Sequence, residues 1–208
     1  MPTSPPIKSS RKARLPGCRS VAIFAVILLV VFGLVLLGLF MRVVDRAQQM
    51  SAVQSVHAIG NAMDEYAGDH KGAYPDGKTS TEVFQKLIDG HYVDDPSVFY
   101  VPMSGKVKAT SHKLTAENVC FDVTSGTTVD APEGLPIVYS TGFTVTYLPG
   151  ANATPDANAR RPFHGAGIAV NYFIESIKFL PAAPDGSIRA FIPVTFNPGT
   201  KTYRQLEP

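Results

Sequence analysis

The run VAIFAVILLVVFGLVLLGLF, residues Val21 to Phe40, decides how the rest of the chain is read. Its twenty residues carry no charge and no polar side chain, and sixteen are Val, Ile, Leu or Phe. As a helix rising about 1.5 Å per residue it covers roughly 30 Å, the thickness of a bilayer's hydrocarbon core. At about −0.3 to −0.6 kcal/mol for each of the sixteen, insertion is favoured by about 5 to 10 kcal/mol. A cleaved secretory signal also has a basic leader. Its apolar run is only about 7 to 15 residues and ends at a small-residue site, whereas this one is longer and meets Met41, Arg42 and Val43. A retained transmembrane helix over residues 21–41 is therefore expected. Gly33 and Gly38 stand five apart and make no GxxxG face.

Upstream lies a basic tail, residues 1–20, with Lys8, Arg11, Lys12, Arg14 and Arg19 and no acidic residue. Only Arg42 and Arg46 follow the span closely, so the charge bias puts the tail inside and the bulk of the chain outside. Those five cations leave fourteen basic against seventeen acidic residues in the remainder, a balance of −3. The basic character belongs to the tail, and nucleic acid is not an expected partner of the folded part. The two cysteines, Cys18 and Cys120, fall on opposite sides of the expected span and give no disulfide framework. Cys120 reads as a small buried hydrophobe in a strand.

Downstream of the span, Ala47, Met50, Val53, Val56, Ile59, Met63 and Tyr66 recur at three- and four-residue steps, which predicts an amphipathic helix over 42–68 continuing the first. Gly68 to Gly72 should stop it. The remaining residues, 69–208, are expected to form an extracytoplasmic α/β head. Thr79 and Glu82 make a capping box for a short helix carrying Val83, Phe84, Leu87 and Ile88, closed by Gly90. Past Pro96 the period shifts toward two. Runs near 98–101, 119–123, 137–139, 143–148, 168–174, 177–180 and 188–196 predict antiparallel strands. Residues 149–162, rich in Ala, Asn, Asp, Pro and Arg, read as an exposed loop. The expected class is α+β, a long N-terminal helix packed on a small antiparallel sheet.

A basic tail, an apolar helix flowing into an amphipathic one, and the segment Ala58 to Pro75 with its Tyr74-Pro75 turn resemble the bacterial pilin-like and type II secretion pseudopilin proteins. The likeness continues in Phe84, Leu87, Tyr92 to Pro96, and Phe99 with Pro102. His164 to Tyr172 resembles a strand entered by a His-Gly pair in the same group, with Ile174-Glu175-Ser176 where a turn normally follows. The resemblance implies a pilin-like fold, prepilin-type processing between Gly17 and Cys18, and partners that are membrane lipid and other pilin-like subunits or secretion components. It also implies a Glu at the fifth mature position, where this chain has Ala22.

The chemistry-bearing residues form no motif. His57, His70, His91, His112 and His164 lack metal-ligand spacing, and no Gly-x-Ser-x-Gly elbow or phosphate loop is present, so no enzyme and no cofactor are expected. Ser104 and Ser140 have no recognisable catalytic partners. Asp69, Asp76, Asp94 and Asp95 sit in Gly/Pro-rich turns, as turn formers or, for Asp94 and Asp95, as weak Ca²⁺ candidates. Tyr66, Tyr74, Tyr92, Phe99 and Phe121 are expected where the long helix meets the sheet. The leading expectation is a non-enzymatic envelope protein. The alternatives are a membrane-tethered domain binding a small ligand or cell-wall polymer, through exposed aromatics and the 149–162 loop, and an anchored hydrolase.

Overall fold

The computed structural model describes residues 18–174 and 177–208. The tail up to Gly17 and the turn residues Glu175 and Ser176 lie outside the described residues. The described chain is mixed α+β and divides into two units, parted between Val43 and Val44.

Helix α1 runs Cys18–Asp69. Its apolar part is the one described helix long and apolar enough to cross a membrane, and none of that stretch is buried by protein. From Ala52 the same helix supplies the head's core, through Ala52, Val56, Ile59, Met63 and Ala67. That stripe corrects the expected one. Met50 is 62 % exposed and Ala47 is exposed too, because they sit off the arc through Val56 and Ile59. At the other end Gly68 stays helical. Lys71 takes the left-handed conformation (φ 57°) and Gly72 N donates to Ala67 O at 2.8 Å, which ends the helix.

Helix α2, Ser80–Asp89, buries Val83, Phe84, Leu87 and Ile88, and Phe84 stacks on Phe99 with ring centroids 4.6 Å apart. The Thr79 hydroxyl accepts from Glu82 N at 3.2 Å, as the capping box requires. The reciprocal bond is displaced by one residue, with the Glu82 carboxylate accepting from Lys78 N at 2.8 Å. Gly90 closes α2 without positive φ; His91 takes that role (φ 61°). Thr79→Ala should cost about 1 kcal/mol, read as a lowered thermal midpoint of the head. An unchanged midpoint would mean that Lys78 and Glu82 cap the helix alone.

The main sheet has the order β6-β5-β2-β1-β7, every neighbour antiparallel: β1 Phe121–Ser125, β2 Pro136–Ser140, β5 Gly167–Tyr172, β6 Lys178–Pro181 and β7 Arg204–Leu206. A second sheet pairs β3 Phe143–Val145 with β4 Ala153–Pro155. The register sets Val123 against Val138 and Val138 against Asn171, so these share one face; Asp122 sits opposite Tyr139 on the other. Helix α1 meets the first face, where Asn171 Nδ2 donates to Val56 O at 3.2 Å. Gly60 makes that approach possible, since a Cβ there would stand 1.7 Å from Asn171 Nδ2.

Several expected strands need correction. Residues 98–101 are not a strand, since Pro96–Phe99 is a 3₁₀ turn with Pro96 at its start and Asp95 capping it. Residues 188–196 make one isolated bridge, Ala153 with Ile188. Phe191 and Ile192 are both buried, Ala190 has φ 47° and Pro193 offers no N–H, so the stretch packs as an irregular core segment. The expected loop 149–162 contains β4, and Ala153 within it is fully buried. Strand β7 was not expected, because Arg204-Gln205-Leu206 is short and polar and its pairing partner lies some eighty residues back in the chain. Cys120 is buried one residue ahead of β1, its thiol donating to Val101 O at 3.4 Å.

Candidate functional site

The expected site residues do not converge. Cys18 is the first described residue of α1, and Gly17 lies outside the described residues. Asp95 directs Oδ1 at Ser97 N (2.9 Å) and Oδ2 at Ser97 Oγ (2.6 Å), which holds its carboxyl below the usual range and makes it a turn former. Asp94 is exposed. Among the described residues no group of three or more His, Cys, Asp or Glu could hold a metal ion. Ser140 Oγ accepts from Ala169 N at 3.2 Å between β2 and β5, and Ser104 Oγ accepts from Arg160 Nη1 at 2.5 Å.

Of the aromatics expected in the core, Tyr74, Phe99 and Phe121 are there. Tyr74 donates to Asp64; burial, together with that bond, pushes its phenol well above the ordinary value, and its ring meets Phe173 edge-on at 6.4 Å. Tyr66 and Tyr92 are only half-buried, a correction to the expectation. Tyr66 stacks on His70 with centroids 3.7 Å apart, and Tyr92 sits edge-on to Tyr66 at 5.4 Å with its hydroxyl on Asp69 Oδ2 (2.8 Å). Residues 66 and 70 are one helical turn apart at the exposed end of α1, so their rings meet each other.

A site that motif reading missed lies under the second sheet. Asp122, the second residue of β1, is fully buried, and Gln205 Nε2 donates to its Oδ2 at 2.7 Å. The same Gln205 amide donates to Phe143 O (2.6 Å) and accepts from Val145 N (2.9 Å), so one side chain ties β7 and β1 to β3. Burial pushes the Asp122 carboxyl up to about 7, against the opposing pull of Thr141 and Gln205. Beside it the Tyr139 and Tyr147 hydroxyls lie 3.1 Å apart, and Tyr147 reaches Thr124 Oγ1 at 2.8 Å. Burial raises Tyr147 to about 12 and lifts Tyr139 well above the usual range of a phenol. The sequence signal for this cluster was a lone Asp among apolar strand residues, with its partner 83 positions away.

Next to it opens a cleft of about 400 Å³ lined by Ser104, Lys106, Thr141, Asp156, Arg160 and Glu207, among others. Lys106 Nζ donates to Ala116 O at 2.7 Å, and partial burial lowers its pKa. Thr141 and Lys106, both in the wall, are also groups that bear on Asp122.

Compared with family models, curated proteins and solved structures, the chain matches none.

Proposed function

We propose that this chain is a single-pass membrane protein of pilin-like or pseudopilin-like type, a non-enzymatic subunit that works through assembly in the cell envelope. The observation that carries the reading is helix α1: one uninterrupted helix from Cys18 to Asp69 whose apolar run has no protein cover and whose later turns are core of an α+β head. An apolar run left bare along four or more turns is stable only in lipid or against other apolar helices. The five cations ahead of it favour a cytoplasmic N-terminus and an extracytoplasmic head on a bacterial inner membrane. With Ala22 at the fifth position after Gly17, subunit addition cannot use a carboxylate there, and contact between subunits falls to the apolar helix surface.

Mass measurement of the mature N-terminus and cross-linking in native membranes test the reading together. The expected outcome is a protein that sediments with membranes, needs detergent for release and cross-links to copies of itself or to secretion components. A start at Cys18 would establish prepilin-type processing. Full recovery in the soluble fraction, or monomer alone after cross-linking, would overturn the proposal.

A further inference from the structure

The cleft beside Asp122 holds charges of both signs, Lys106 and Arg160 with Asp156 and Glu207, and no ion pair joins any of the four among the described residues. The two cations are held in place but not saturated. Lys106 Nζ makes one hydrogen bond to Ala116 O at 2.7 Å, and Arg160 Nη1 one to Ser104 Oγ at 2.5 Å, which leaves N–H donors on both. On the anionic side, Asp156 Oδ1 accepts from Asn158 N at 2.8 Å and its other oxygen is free. The Glu207 main chain is anchored through its carbonyl to Ser80 N at 2.9 Å, and its carboxylate has no partner. Gly105 and Gly142, both with positive φ (79° and 95°), bring bare backbone into the same wall. Where they turn there is no room for a side chain: a Cβ would stand 2.9 Å from Arg160 Nη1 at Gly105 and 2.6 Å from Arg161 Cγ at Gly142.

A ligand that carries one charge of each sign complements unpaired charges of both signs in one concave site. The volume of about 400 Å³ sits in the range of small-molecule sites. We propose that this cleft binds a small zwitterion, a free amino acid or a short peptide with free termini, with its carboxylate on Lys106 and Arg160 and its ammonium on Asp156 and Glu207. Each contact is a charge-assisted hydrogen bond, and Thr141 and Ser104 offer hydroxyls for a peptide group between the ends. The site is independent of the assembly role, which stands or falls on α1.

Calorimetric titration of the full chain with the dipeptide Ala-Ala, and with its N-acetylated, C-amidated form, tests the assignment. Saturable binding of Ala-Ala with Kd of about 1 mM or tighter is expected, with none for the capped form. Arg160→Gln and Glu207→Gln should each weaken it at least about tenfold. Both side chains are exposed, so the variants keep the fold, which circular dichroism verifies. No saturable signal up to about 20 mM, equal binding of the capped dipeptide, or variants that bind like the parent would each overturn the assignment.

Discussion

Raising the pH from 5 to 8.5 is expected to destabilise the head domain, and Asp122→Asn to abolish most of that loss. The sign follows from where the proton sits. Unfolded, the Asp122 carboxyl ionises near 3.8; folded, with burial as the largest cause, it holds its proton up to about 7. Between those two values the unfolded chain is ionised and the native chain is not, so each pH unit favours unfolding by about 1.4 kcal/mol. The contribution is complete below 3.8, falls through the interval, and levels off above 7 about 4 kcal/mol lower. No solvent softens this, because the group is fully buried, and that burial outweighs the hydrogen bonds the Thr141 and Gln205 side chains offer the carboxylate. The Lys106 ammonium, on Ala116 O, helps too little to reverse it, and Glu207 works against it. Asparagine keeps the shape and an acceptor for Gln205 while removing the ionisation. Denaturant unfolding of both proteins across this range reads the effect. Parallel stability curves for parent and variant would show that Asp122 is solvated in the native state.

The second large effect is expected at Gly60. Alanine would ordinarily stabilise a helix interior by about 1 kcal/mol over glycine. Here its Cβ would lie 1.7 Å from Asn171 Nδ2, so Asn171 must swing away from the Val56 carbonyl it bonds at 3.2 Å. Losing that bond costs about 0.5 to 1.5 kcal/mol and forcing the helix off the sheet about 1 to 3. Gly60→Ala should therefore destabilise by a net of about 1 to 3 kcal/mol, opposite in sign to its helix propensity. A double-mutant cycle with Asn171→Ala isolates the cause: Gly60→Ala should become neutral or stabilising once Asn171 is short. If the two changes add independently, the contact is not what limits the substitution.

The elements legible in the sequence share one property, a signal local to a few residues. The apolar run, the α2 cap at Thr79, the stop near Gly72 and strands such as β2 and β5 are each announced within a few residues. The elements that were not legible depend on partners far away. Ala153 becomes strand because β3 and Ile188 flank it, and Arg204 to Leu206 because β1 offers its edge. The apolar stretch from Ile188 to Phe196 alternates well enough to suggest a strand, yet Ala190 and Pro193 turn it into a core plug.

The long apolar N-terminal helix and the mixed class were properties of the amino-acid order itself, because helix period, strand alternation and turn chemistry act on contiguous residues. Which face of α1 is buried, why residue 60 must be glycine, and that Asp122 holds its proton near neutrality were decided only by the fold. The physical reason is range. Burial and desolvation are set by whatever the chain brings up from a hundred residues away, as Asn171 is brought to Val56 and Gln205 to Asp122.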